Sequence, residues 1–292
     1  LDISTGILPL ANVWTAATNM LQNNNEMNET LITIHQNQYE TFISFIKQDL
    51  CDHIYLDMGT NVGIQLRKLY EPQYFPKSPI RWHFDIMFKE HSRKRICSLG
   101  FESNSLHTPR LLQIQKAYQN VNYPCVIFTG TAVNTFNGVV AYYRQHQTRD
   151  NEYYHEAGSS TLKYWGTNET LKENAISIDI NKLVHRIHGV WRQTRSYNSQ
   201  TSMLIAKVDI EGAEFEVLPH MLGHGSLCLF NEMILEWHER FFKNATWEYT
   251  DTKKMINWAV QHTRGCKLSM IDVDDNTYAD GPDRNPLPSS GI

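Results

Sequence analysis

The chain has 292 residues and a mass of 34.0 kDa, enough for one large domain with a full hydrophobic core. Its 27 Lys and Arg nearly balance 31 Asp and Glu, for a formal net charge of -4, which argues against a surface built to neutralise phosphates and against nucleic acid as the default partner. With 41% hydrophobic and 20% charged residues wholesale disorder is excluded, and no apolar run approaches the roughly 20 residues of a membrane-spanning helix.

The chain opens without an initiator Met or a charged-then-apolar leader, and reads as a processed or truncated polypeptide. Residues 1–35 read as a polar, Asn-rich lead-in. Tyr39, Phe42, Ile43, Ile46 and Leu50 then recur at helical spacing on one face. Ile54-Tyr55-Leu56 reads as a buried strand running into Asp57-Met58-Gly59, and Asn61 to Tyr70 as a helix stopped by Glu71-Pro72. Residues 71–94, with several prolines and aromatics, read as an insertion. It ends in the basic run Arg93-Lys94-Arg95, a solvated approach to the next strand.

That strand, Ile96 to Phe101, ends at Glu102. A helix follows over Pro109 to Gln119, with proline in its first turn and Leu111, Ile114 and Tyr118 on one face. Val126-Ile127-Phe128 is a third strand. Val139 to Tyr143 and Ala175 to Ile180 are weaker strands about a Gly/Ser-rich loop at Gly158-Ser159-Ser160, inside a second insertion at 144–170. Met203 to Val208 is a strand ending at Asp209, with a helix bearing Phe215, Val217 and Leu218 behind it. Met233-Ile234-Leu235 leads to Glu236-Trp237-His238. A helix over Thr252 to Gln261 and a strand over Leu268 to Val273 complete the single domain of residues 36–279, and residues 280–292 form a flexible tail. Strands alternating with helices predict an α/β fold, a doubly wound, mostly parallel sheet with helices on both faces.

In such sheets ligands bind beyond the carboxyl ends of the strands, so the residue that ends each strand is informative. Asp57, Glu102, Asp209 and Glu236 occupy four of these ends. Carboxylates gathered on one edge suit a site that hydrogen-bonds hydroxyls, balances a cationic ligand or binds a metal. Gly59 and Gly63 allow backbone to approach a ligand closely. No Gly-Lys-Ser/Thr follows them, which excludes a phosphate-cradling Walker loop. The acid after the second strand falls far beyond the roughly 20 residues expected of a nicotinamide site.

Three blocks carry a resemblance. Tyr55-Leu56-Asp57-Met58-Gly59-Thr60-Asn61-Val62-Gly63, Gly100-Phe101-Glu102-Ser103-Asn104 and Lys207-Val208-Asp209-Ile210-Glu211-Gly212-Ala213-Glu214 resemble the signature blocks of the FkbM-like methyltransferases. These are class I, S-adenosylmethionine-dependent enzymes, and the resemblance runs from about residue 50 to residue 275. It implies that Asp57, Gly59, Asn61 and Gly63 hold the amino-acid end of S-adenosylmethionine, with Asp209 beside the methyl group. It implies that Glu102 accepts from the ribose hydroxyls, that Ser103 and Asn104 flank the adenosine, and that Thr131, Ala132 and Val133 pass along the adenine. Where the family reads Glu-Pro-Asn this chain has Glu102-Ser103-Asn104.

Methyl transfer to a hydroxyl requires that the acceptor oxygen be aligned and its proton removed. His238 is the general-base candidate because an ordinary imidazole titrates near neutrality, and Glu236 and Glu214 are candidates to orient it or to bind acceptor hydroxyls. Asp209, Glu236 and His238 also form a divalent-metal set that would acidify the acceptor. The expected acceptor is a small polyhydroxylated molecule, a saccharide or glycan. The alternatives are a lipid or secondary metabolite, and a silent S-adenosylmethionine-binding sensor. Trp82, Trp165 and Trp237 are candidates to stack on a sugar ring, with packing as the plainer reading. The insertions at 71–94 and 144–170 are expected to rim the mouth.

Cys51, Cys97, Cys125, Cys228 and Cys266 lack metal-finger spacing and read as small buried residues, at least one of them unpaired. Glycosylation acceptors occur at Asn28, Asn168 and Asn244, no more than so Asn-rich a chain contains by chance. Both a secretory compartment such as the Golgi lumen and the cytoplasm stay open, and the sequence does not specify an oligomeric state.

Overall fold

The structure, a computed structural model, describes residues 25–88, 93–145, 159–163, 167–239, 246–273, 275 and 287. Six strands form one parallel sheet in the order β3-β2-β1-β7-β8-β9. They are β1 (His53–Met58), β2 (Ile96–Glu102), β3 (Cys125–Thr129), β7 (Leu204–Val208), β8 (Glu232–Leu235) and β9 (Ser269–Asp272). Near-continuous apolar runs such as Ile54-Tyr55-Leu56 suit strands covered on both faces. Ile54, Leu56, Met58, Leu204, Ala206 and Val208 face one layer and Tyr55, Ile205 and Ile234 the other, following the two-residue period of a strand.

On the first face lie α1 (Asn25–Lys47), α5 (Ile180–Trp191), α6 (Glu214–Gly223) and α7 (Thr246–His262). On the second lie α2 (Ile64–Tyr70), α3 (Pro79–Phe88) and α4 (Thr108–Asn120). The doubly wound α/β architecture read from the sequence is present. Each fully buried Leu, Ile or Phe of these two layers contributes about 2 kcal/mol.

Several elements depart from the sequence reading. Helix α1 begins at Asn25, so residues 25–35 of the expected lead-in are helical, and His35 is fully buried against the Phe128 ring. The weak strands are not part of the main sheet. β5 (Gly138–Gln145) and β6 (Thr167–Asp179) pair antiparallel, and β4 (Thr131–Asn134) adds parallel to β6, giving a separate three-stranded sheet. Ile180 opens a helix instead of closing a strand, with the Asp179 carboxylate accepting from Lys182 N at 3.2 Å as its cap.

The 71–94 insertion covers the sheet rather than rimming its mouth. Helix α3 buries Ile80, Phe84 and Phe88, with Phe84 edge-on to Tyr55 and Phe88 edge-on to His53, the first residue of β1. Apolar residues at i, i+4 and i+8 leave the helix no other way to hide them. Its first turn is fastened by Asp275, which accepts from Ile80 N at 3.1 Å and from Ser78 Oγ while pairing with Lys68 at 3.2 Å. In the basic run, Arg93 pairs with Asp85 and Arg95 with Asp52.

Of the 144–170 insertion, residues 159–163 lie against the carboxyl edge. Ser160 bridges to Tyr143, and its hydroxyl donates to the Glu211 carbonyl at 2.6 Å.

Cys51–Cys97 and Cys228–Cys266 are disulfides, and Cys125 is a buried thiol. Burial pushes the Cys125 thiol up to about 12, so it stays inert. Of the glycosylation acceptors, Asn28 falls in α1 and Asn168 in β6, while Asn244 and the tail expected over 280–292 (apart from residue 287) lie outside the described residues.

Candidate functional site

The order of the parallel sheet reverses between β1 and β7. Backbone connections diverge above such a pair and leave a crevice at the carboxyl edge. Asp57 and Asp209 flank that crevice, and Glu102 and Glu236 stand on the next strands out.

The turn after β1 is stapled to β2. Gly59 N and Thr60 N both donate to Phe101 O, at 3.1 and 2.9 Å. The Thr60 hydroxyl accepts from Phe101 N and donates to Asp57 O, each at 2.9 Å. Gly59 has φ +90°, and a Cβ there would overlap the carbonyl oxygen of Asp209, so only glycine lets this turn sit against the turn after β7. Asn61 is left-handed at φ 51°, which Asn tolerates better than most residues. Helix α2 therefore begins at Ile64, three residues later than the sequence suggests, and Asn61 N is directed elsewhere.

It donates to Glu102 Oε2 at 2.6 Å, while Asn104 N donates to Oε1 at 2.7 Å. Both oxygens of Glu102 are thus held by backbone, one from each turn, and each retains capacity for a second donor. Burial pushes Glu102 up, against the pull of His107 and of these two N–H groups. Asn104 also caps the short turn beginning at Ser105, accepting from Leu106 N at 3.1 Å, while Ser103 is half-buried.

Asp57 is fully buried. Its Oδ1 accepts from Tyr55 Oη at 3.1 Å, and its Oδ2 has no hydrogen-bond partner among the described residues. Burial raises it to about 7, opposed by Lys207 and by hydrogen bonds from Tyr55 and Thr60, with Asp209 adding to the rise. An unsatisfied buried carboxylate oxygen beside a turn of close backbone approach is poised for a cationic donor.

The third block forms the other wall. Glu211, at φ 52°, and Gly212, at φ 99°, turn the chain sharply into α6. Glu214 is fully buried and committed, with Oε2 accepting from Gly212 N at 2.9 Å and Oε1 facing His238 N at 2.7 Å and Nδ1 at 3.1 Å. It orients His238, and no part of it is open to an acceptor hydroxyl. On the other side of the ring, Nε2 lies 3.6 Å from Asp209 Oδ1, 3.4 Å from Glu211 Oε2 and 3.5 Å from Glu236 Oε1.

This crowd of acids changes the expectation for His238. Burial by itself would push the imidazole down, but hydrogen bonds to Glu214 and Glu236 and the charges of Glu211 and Glu214 outweigh it and raise His238 to about 11. The acids thus favour the protonated ring over the neutral base that an ordinary imidazole would be. Glu211, which the sequence reading passes over, is pushed well up by burial and by neighbouring acids. Only its place as the second acid of the Asp209-to-Glu214 block signals it. For a divalent cation, the ligand atoms that gather among the described residues belong to Asp209, Glu211 and His238, all within 4.8 Å of one another, so Glu211 stands where the sequence reading expected Glu236.

Other candidates take packing roles. Thr131, Ala132 and Val133 are buried in β4. Thr131 Oγ1 lies 2.8 Å from His35 Nε2, and Ala132 packs in a small cluster with Tyr142 and Ala175. Burial lowers His35 to about 4, so it stays neutral. Trp237 packs on Phe215 with Lys253 over its ring. Trp82 is exposed on α3, whose packing follows the sheet face, and Trp165 lies outside the described residues.

No protein-family model, curated protein or solved structure matches the chain.

Proposed function

We propose that the chain is an S-adenosylmethionine-dependent O-methyltransferase that methylates a hydroxyl of a small polyhydroxylated acceptor, a saccharide or glycan. The observation that carries this reading is the convergence of Asp57, Glu102 and Asp209 at the switch point around the Gly59 turn. Asp57 Oδ2, without a hydrogen-bond partner among the described residues, suits the cofactor's ammonium, and the backbone-held Glu102 suits a ribose diol. Asp209, one-fifth exposed, stands where a sulfonium methyl and an acceptor would meet. Proton removal falls to Asp209 with His238 behind it. Asp209 would take the acceptor's hydroxyl proton, and His238, whose Nε2 lies 3.6 Å from Asp209 Oδ1, would offset the carboxylate's charge.

A divalent cation held by Asp209, Glu211 and His238 is the second route, favoured by the close approach of their ligand atoms. Such an ion would acidify the acceptor hydroxyl in place of the base.

Calorimetry with S-adenosylmethionine and S-adenosylhomocysteine tests the cofactor. Binding is expected to weaken about a hundredfold in Glu102→Ala, which loses charge-assisted hydrogen bonds to two hydroxyls. A native protein that binds neither compound overturns the proposal. Labelled cofactor offered with glycans, lipids and small alcohols, with and without chelator, then sorts the rest. Transfer abolished by chelator assigns the metal route. Transfer confined to an amine or to nucleic acid removes the O-methyl assignment, and binding without any transfer points to a sensor.

A further inference from the structure

Lys207 is a lysine in an apolar layer. It belongs to the face of the sheet that carries Tyr55, Ile205 and Ile234, pairs in register with Asp57 on β1 and Ile234 on β8, and is 1% exposed. An ammonium in such a place carries a desolvation penalty of several kcal/mol unless it is paired, and a well-packed apolar side chain of similar size is often as stable or more so. Fold stability alone does not call for a lysine here.

Its contacts suggest what does. Nζ lies 2.9 Å from Asp209 Oδ2 and 3.6 Å from Glu236 Oε2. The other oxygen of each acid, Asp209 Oδ1 and Glu236 Oε1, faces His238 Nε2 at 3.6 and 3.5 Å. Lys207, Asp209, His238 and Glu236 therefore alternate in a ring, with Lys207 drawing one oxygen of each acid inward. That leaves the second oxygen of each at the crevice, where Asp209 and Glu236 keep 20% and 15% of their side-chain surface. Asp209 and Glu236 follow directly on neighbouring, in-register strands, where like charges repel. A compact point charge with three donors can hold two acids at once.

We propose that Lys207 is the positioning residue of this site, fixing the carboxylates of Asp209 and Glu236 so that Oδ1 and Oε1 face His238 and the bound ligand. This deepens the methyl-transfer reading and rests on it for its functional consequence, though not for its geometry. The partner acids keep Lys207 charged despite its burial, Asp209 and Glu236 foremost.

The test compares Lys207→Met, which keeps the volume and removes the charge, with Lys207→Arg, which keeps the charge. Lys207→Gln serves if the Met variant does not fold. Crystal structures are expected to show Asp209 and Glu236 turned from their places by about 1 Å or more in the uncharged variants and held in Lys207→Arg, with Asp57 and Glu102 unmoved in all. In turnover with the acceptor identified by the labelled-cofactor panel, misplacement on that scale predicts a kcat lower by about a hundredfold. KM for S-adenosylmethionine is expected within about threefold of native, with most of kcat restored in Lys207→Arg.

Carboxylates that stay in place in both uncharged variants overturn the proposal, and so does native kcat in either. A loss of kcat that Arg does not restore, with the acids in place, also counts against it. If the native protein binds no S-adenosylhomocysteine, the methyl-transfer reading fails while the crystal structures still decide the positioning role.

Discussion

At the scale of single residues, the site is made of acids whose neighbours decide their chemistry. Asp57 is raised from an ordinary 3.8 to about 7 in the fold, because burial, with the Asp209 charge, outweighs the pull of Lys207, Tyr55 and Thr60. Between about pH 4 and about pH 7 the unfolded chain has lost this proton and the folded chain still holds it, so stability falls as pH rises through that window and levels off above it. The loss is on the order of 4 kcal/mol. Asp57→Asn keeps an acceptor for Tyr55 Oη and removes the titration. Its stability advantage over the native protein, followed by urea unfolding, is expected to grow from about pH 4 to about pH 7 and then stay constant, while cofactor affinity collapses. An advantage that does not change with pH would show that Asp57 is ionised throughout. Glu214 is the opposite case, a fully buried acid with both oxygens committed to Gly212 and His238. Glu214→Ala strands those donors and is expected to cost about 3–5 kcal/mol, read as a lower urea midpoint. The strand-end acids were legible from position alone. The difference between an open Asp209 and a closed Glu214 was not, because it depends on what packs over the Gly212 turn.

At the scale of elements, both disulfides sit at the end of the sheet opposite the site. Cys51 precedes β1 and Cys97 is the second residue of β2, while Cys228 and Cys266 precede β8 and β9. Each closes a loop between neighbouring strands, with sequence separations of 46 and 38. Loops of that size correspond to about 4 kcal/mol per bridge by the chain-entropy account. Reduction is therefore expected to lower the thermal midpoint steeply, and S-adenosylhomocysteine affinity measured below that midpoint should not change. An affinity that falls on reduction would place a bridge in contact with the crevice. Paired cysteines persist in oxidising surroundings, which favours the secretory alternative left open by the sequence. Helix α5 was passed over, although Ile180, Val184, Ile187 and Trp191 are helically spaced and Asp179 stands at the cap. The strand reading of Ala175 to Ile180 hides its first residue. The separate sheet of β4, β5 and β6 was not legible, since short apolar alternations reveal a strand but not the strand it pairs with.

At the scale of the whole molecule, a formal charge of -4 understates how unevenly the acids are placed, with Asp57, Glu102, Asp209, Glu211, Glu214 and Glu236 meeting at one edge. A ligand bound there contacts β1, β2 and β7, the centre of the sheet, so it should stabilise the entire fold. At a hundred times its dissociation constant, S-adenosylhomocysteine is expected to add about 2.7 kcal/mol, seen as a rise in the thermal midpoint that Glu102→Ala abolishes. A midpoint that does not move in the native protein would mean that the edge does not bind this compound. The sequence by itself determined the parallel α/β fold, because the apolar runs, the helical periods and the turn residues are local patterns set by backbone geometry. It also determined which acids end the strands. Only the tertiary structure decided that Glu211 joins His238, that Lys207 reaches two of those acids, that α3 covers a face instead of rimming the mouth, and that four cysteines pair. Each of these depends on which distant segments become neighbours. Parallel strand order and the close approach of the Gly59 turn to Asp209 set those neighbours, and local sequence does not encode them.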